Sequence, residues 1–92
     1  MSTTAVVLGV DAARTWVRQL ADYDEVVVLD PSVERLDALL DELNDPRVDY
    51  LLGALPVLPL PDASVDLLVG AAAEDPEVVR VLRPGARVVP GA

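Results

Sequence analysis

The chain has 92 residues, 52% of them hydrophobic, and sixteen acidic side chains against seven arginines leave a net charge of −9. It contains neither cysteine nor histidine, which excludes disulfides, thiolate metal sites, cysteine nucleophiles and the commonest general base. The acidity disfavours direct nucleic acid or anionic membrane contact, and no apolar run reaches the roughly 20 residues of a spanning helix, so the expectation is one soluble, cytoplasmic domain over 1–92.

Residues 4–9 are almost continuously apolar, the pattern of a strand covered on both faces. Asp11 stands where it would cap a helix running to Asp22, with Ala13, Trp16, Val17 and Leu20 on one face and Trp16 in the core. The β-branched run Glu25–Asp30 predicts a second strand, and Pro31 suits the first turn of a second helix. Val33, Leu36, Leu39, Leu40 and Leu43 form that helix's expected buried stripe, which Asn44-Asp45-Pro46 ends. Residues 47–52 alternate enough for a third, edge-like strand closed by Gly53.

Pro56, Pro59 and Pro61 keep residues 54–63 from forming a helix or a central strand, so an extended connection is expected there. Residues 64–70 read as a fourth strand. Asp75-Pro76-Glu77 combines a cap, a first-turn proline and an early acid, and opens a helix through Val78, Val79, Val81 and Leu82. Arg83-Pro84-Gly85 then stops it, and residues 86–89 make a last strand before Pro90-Gly91-Ala92. Strands alternating with helices predict βαβ units in a three-layer, Rossmann-like α/β domain with a mostly parallel, five-stranded sheet.

Three phrases are in register across nearly the whole chain: Val-Val-Val-Leu-Asp-Pro-Ser ending the second strand at Asp30, the stretch from Gly53 through the Leu-Pro-rich connection to Ser64-Val65-Asp66, and Val79-Arg80-Val81-Leu82-Arg83-Pro84-Gly85 leading into the last strand. Together they resemble the class I S-adenosylmethionine-dependent methyltransferase family. The resemblance implies the strand order 3-2-1-4-5 and gives Asp30 the place of the acid that holds the cofactor ribose. The family's alternating glycines after the first strand are reduced here to Gly9, within Val7-Leu8-Gly9-Val10-Asp11. Ala54 stands where the family has an Asp facing the adenine amino group, Gly70-Ala71-Ala72-Ala73 replaces polar or aromatic groups near the substrate, and the chain stops at the fifth strand where the family usually adds two more.

Gly9, Asp11 and Asp30 are therefore the candidate cofactor-binding residues. Each also has a plain structural role, as a tight turn for Gly9 and as helix caps for the two acids. Asp11 with Arg14 offers a different polar site, more simply read as a cap and a solvated residue. Asp62 and Asp66 are expected to be solvated or capping, and Tyr23 and Tyr50 to pack at edges. No catalytic residue and no metal site are expected. The leading reading is a methyltransferase-like domain without catalysis that needs no cofactor and serves as an interaction, regulatory or dimerising subunit. The alternatives are a minimal S-adenosylmethionine-dependent enzyme or binder of that cofactor, and another nucleotide-binding module. With one short helix on the second face of the sheet, a homodimer or a protein partner is expected to cover Leu55, Val57, Leu58 and Leu60 and the edge near Val88.

Overall fold

The computed structural model describes residues 2–90; Met1 and the Gly91-Ala92 end of the expected tail lie outside them. Strands β1 (Thr4–Leu8), β2 (Glu25–Asp30), β3 (Val48–Leu52), β4 (Val65–Val69) and β5 (Leu82–Val89) form one sheet in the order β3-β2-β1-β4-β5. Every pairing is parallel. Helices α1 (Val10–Trp16), α2 (Val33–Leu43) and α3 (Pro76–Val81) make the crossovers with a proline-rich connection between β3 and β4. This is the expected three-layer, Rossmann-like arrangement.

Side chains alternate across the pleat and divide the core in two. Ala5, Val7, Val26, Val28, Leu67 and Val69 meet Ala13, Val17, Leu20, Leu36 and Leu39 on the face covered by α1 and α2. Val6, Val27, Leu29, Val65 and Leu68 meet Leu58, Ala71, Val78 and Val81 on the other. Leu39 and Leu68 are fully buried, and each such leucine contributes about 1.5–3 kcal/mol by leaving water.

Several local expectations change. Gly9, and not Asp11, is the N-cap of α1, and the helix tightens after Trp16 into a 3-10 turn over Val17–Leu20. Ser32 caps α2 by accepting the Arg35 N–H at 3.3 Å, so the helix starts at Val33 and Asp30 is not its cap. The α2 stripe is narrower than expected. Leu36 and Leu39 are buried and Leu43 is partly so, whereas Val33 and Leu40 are exposed because only one flank of α2 meets the sheet. Arg83-Pro84-Gly85 does not separate helix from strand. Helix α3 passes directly into β5 at Leu82, and the five-residue step from Leu82 to Arg87 opposes the two-residue step from Val65 to Leu67. Gly85, at φ 83°, carries the resulting bulge.

The connection is no unattached strap. Arg80 donates to both carboxylate oxygens of Glu77 at 2.7 and 2.8 Å, to Asp62 at 2.6 Å and to the Leu58 carbonyl at 3.0 Å. Glu77 in turn accepts the Leu58 N–H at 2.7 Å. The two side chains grip both backbone groups of Leu58, whose side chain is only 3% exposed. This corrects the expected interface: Leu58 is core of its own chain, and Leu55, Leu60 and Val88 are half-buried against that core. Only Val57 stands clear, at 72% exposure.

The Arg80 guanidinium, followed by the Leu58 N–H, holds the Glu77 carboxyl down at about 2, below its ordinary 4.5. A depressed carboxylate stabilises the fold above its unfolded pKa, and that contribution is lost as pH falls through the folded one. The melting-temperature gap between the wild type and Glu77→Gln is therefore expected to be widest above pH 5 and to close as the pH falls towards 2, as scanning calorimetry across that range would show. Leu68→Ala, which opens a cavity against β1 and β5, is expected to cost about 2–5 kcal/mol in urea unfolding.

Candidate functional site

At the C-terminal end of the sheet β1 leads to α1 on one face while β4 leads towards α3 on the other, and the chain parts between the two strands. Such a divergence is where doubly wound folds bind ligands. Gly9 (φ 101°) and Gly70 (φ 104°) stand at the two strand ends in conformations that L side chains rarely adopt. A Cβ on Gly70 would lie 2.8 Å from the Leu8 carbonyl oxygen, so close approach of the strands also requires glycine there. A Cβ on Gly9 would meet nothing within 4 Å, because the space above it is open.

Two adjoining clefts fill that space and share Leu8, Gly9 and Gly70. The larger, of about 480 Å³, lies against α1 and is lined by Asp11, Ala12, Thr15, Trp16 and Arg35. The smaller, of about 200 Å³, reaches Leu29, Pro31, Gly53, Ala54 and Leu55. Trp16, expected to be core, is half-buried and serves both the first core layer and the larger cleft. Arg35 and Thr15 carry no sequence signal of their own. They reach the cleft because α1 and α2 pack side by side over β1 and β2.

Gly9 and Asp11 line the larger cleft, but Asp30 lines neither. Its residue is 4% exposed. One carboxylate oxygen accepts the Val10 N–H at 3.0 Å and the other the Ser32 N–H at 2.9 Å, with the Arg35 Nε 3.5 Å away. Asp30 thus ties the start of α1 to the start of α2. Val10 is buried beneath that tie. Asp11 points outward and pairs with Arg14 and Arg35, each at 3.3 Å, and Arg14 continues to Glu42 at 3.0 Å. Asp11 is therefore not the expected cap, and it and the exposed Arg14 are parts of a surface ion network.

Asp62 is paired with Arg80, and Asp66 with Arg83 at 2.7 Å while also accepting the Thr4 N–H. Neither faces the clefts. Among the described residues no group of three or more His, Cys, Asp or Glu is placed to hold a metal ion, and no helix is long and apolar enough to cross a membrane.

No family model matches the chain. It is 38% identical over 89 residues to uncharacterized methyltransferases of Mycobacterium tuberculosis and Mycobacterium bovis, a match that takes in 88% of this chain and 36% of theirs. The chain therefore spans about a third of the length of these curated relatives. It superposes on a Haloferax volcanii methyltransferase, solved in complex with the Trm112 methyltransferase activator, with a TM-score of 0.77 at 28% identity, over 92% of this chain and 42% of that one. An S-adenosylmethionine-dependent methyltransferase structure from Methanococcus maripaludis gives the same TM-score at 20% identity over all of this chain and 49% of that one. The chain has the class I methyltransferase fold.

The resemblance assigns polar cofactor contacts to the positions of Asp30 and Ala54. The acid at the end of β2 is committed to two backbone N–H groups of its own chain. Ala54 brings only a methyl group to the smaller cleft. The space for a ligand is present, and of the contacts the resemblance implies for S-adenosylmethionine the one at Ala54 has no polar group in this chain. Asp30→Ala is expected to leave the Val10 and Ser32 N–H groups without their acceptor and to lower stability by about 1–3 kcal/mol in urea unfolding. A residue kept only for a ligand would lose almost nothing when replaced.

Proposed function

We propose that the chain is a non-catalytic domain on the methyltransferase fold that acts by docking to a protein partner. One observation carries this reading: the Asp30 carboxylate is buried, lines neither cleft, and accepts the Val10 and Ser32 N–H groups, so in this chain it serves to join α1 to α2. The whole sequence has neither His nor Cys, the run after β4 is Gly70-Ala71-Ala72-Ala73, and the Asp11 carboxylate in the larger cleft is already paired with Arg14 and Arg35, which supports a reading without catalysis. The Haloferax volcanii neighbour was solved with an activator protein bound, which supports a partner-dependent role for a domain of this shape.

A second reading, a minimal binder of S-adenosylmethionine, is favoured by the open space over Gly9 and the two joined clefts. Other members of the fold family have been solved with that cofactor, among them geranyl diphosphate methyltransferase. Titration calorimetry with S-adenosylmethionine and its demethylated product separates the two. The docking reading expects no heat of binding at millimolar ligand. Micromolar binding that disappears in Gly9→Val, whose side chain would project into the shared space, would establish the second reading instead.

A further inference from the structure

We propose that the free edge of β3, together with the exposed flank of α2, docks an extended, basic and apolar segment of a partner protein as a sixth strand. This deepens the docking reading by naming the surface and the chemistry that fits it.

Among the described residues β3 ends the sheet and pairs only with β2. The hydrogen bonds at the two ends of that ladder, Val26 N–H to the Arg47 carbonyl and Gly53 N–H to the Asp30 carbonyl, put the odd-numbered residues of this segment on the β2 side. In a parallel ladder alternate residues bond opposite neighbours. The N–H and C=O groups of Tyr50 and Leu52 therefore face the open edge. An edge of this kind is a template for another strand unless it is blocked. Neither a proline nor a lysine interrupts Val48–Leu52, and no lysine occurs anywhere in the chain.

The side chains around the edge are apolar where water would be expected. Leu52 is 60% exposed, and α2, which packs against β3, presents Val33 at 55% and Leu40 at 45%. Val33 and Leu40 are seven residues apart and share one helix flank with Asp37. Glu34, Asp37 and Asp41 on α2 and Asp49 on β3 are all exposed. None of them pairs with an arginine among the described residues, whereas Asp11, Glu42, Asp45, Asp62, Asp66 and Glu77 all do.

Apolar contacts set among unneutralised carboxylates fit a segment that alternates hydrophobic residues with lysine or arginine. They do not fit a second copy of this chain. Pairing two β3 edges would bring two molecules of charge −9 together with the unpaired Glu34, Asp37, Asp41 and Asp49 of each close to those of the other.

A short peptide alternating lysine and valine, titrated into isotope-labelled protein, tests the proposal by amide chemical shifts and hydrogen exchange. Binding is expected to slow exchange at Tyr50 and Leu52 and to weaken as salt rises. Asp37→Lys combined with Asp41→Lys is expected to weaken it about tenfold at low salt. Leu52→Lys, at an exposed position the fold does not need, should weaken it as well. The same peptide methylated on alternate backbone nitrogens should fail to bind, since it cannot extend the ladder.

Equal binding of the methylated peptide, protection elsewhere in the chain, or no binding at millimolar peptide would overturn the proposal. So would a concentration-dependent dimer, seen without peptide, that protects Tyr50 and Leu52. Cofactor binding in the calorimetry would remove the non-catalytic reading without touching the peptide result, so the two can fail separately.

Discussion

A parallel sheet has two apolar faces and must cover both, and this requirement governs the rest of the molecule. The face under α1 and α2 is closed by two helices in the ordinary way. The other has only the short α3, and its remaining cover is the proline-rich connection, which could not lie on the sheet without satisfying its own backbone. Arg80 and Glu77 supply that satisfaction. They hold the N–H and the carbonyl of Leu58 at once, and the leucine side chain beneath them becomes core. A segment with the composition of a linker is thereby turned into the third layer of the fold.

The same economy of polar groups shapes the upper end of the sheet. An aspartate at the end of β2 lies close to two helix starts that both offer unpaired N–H groups, and Asp30 accepts one from each. Having done so it is buried, and the space over Gly9 is left to Trp16, Thr15, Arg35 and Asp11. The larger cleft keeps the place that a ligand site has in a doubly wound fold. Its charged groups are already paired within the chain, Asp11 with Arg14 and Arg35.

Charge is distributed unevenly. Five arginines are spent on ion pairs at the α1–α2 contact, the α2–β3 turn, the connection and the start of β5. Little positive charge remains to neutralise the outer flank of α2 and the β3 edge, where the acids stand beside exposed valine and leucine. At a net charge of −9 the carboxylates repel like copies of the chain while leaving the backbone of the β3 edge accessible.

The fold was largely legible in the sequence. Five β-branched or apolar runs, the helix start marked by Asp75, Pro76 and Glu77, and the order of the three family-like phrases give the strands, the crossovers and their arrangement, because these depend on local periodicity and turn chemistry. The position of Gly9 at a tight turn was legible for the same reason. What each polar residue does was decided only by the tertiary structure. Asp30 has the same sequence context whether its oxygens meet a ribose or the N–H groups of Val10 and Ser32, and Leu58 looks equally apolar whether it faces a partner or its own core. Ser32 is a near neighbour of Asp30, but the Val10 donor and the core side chains around Leu58 come from residues distant along the chain, and no local pattern records them.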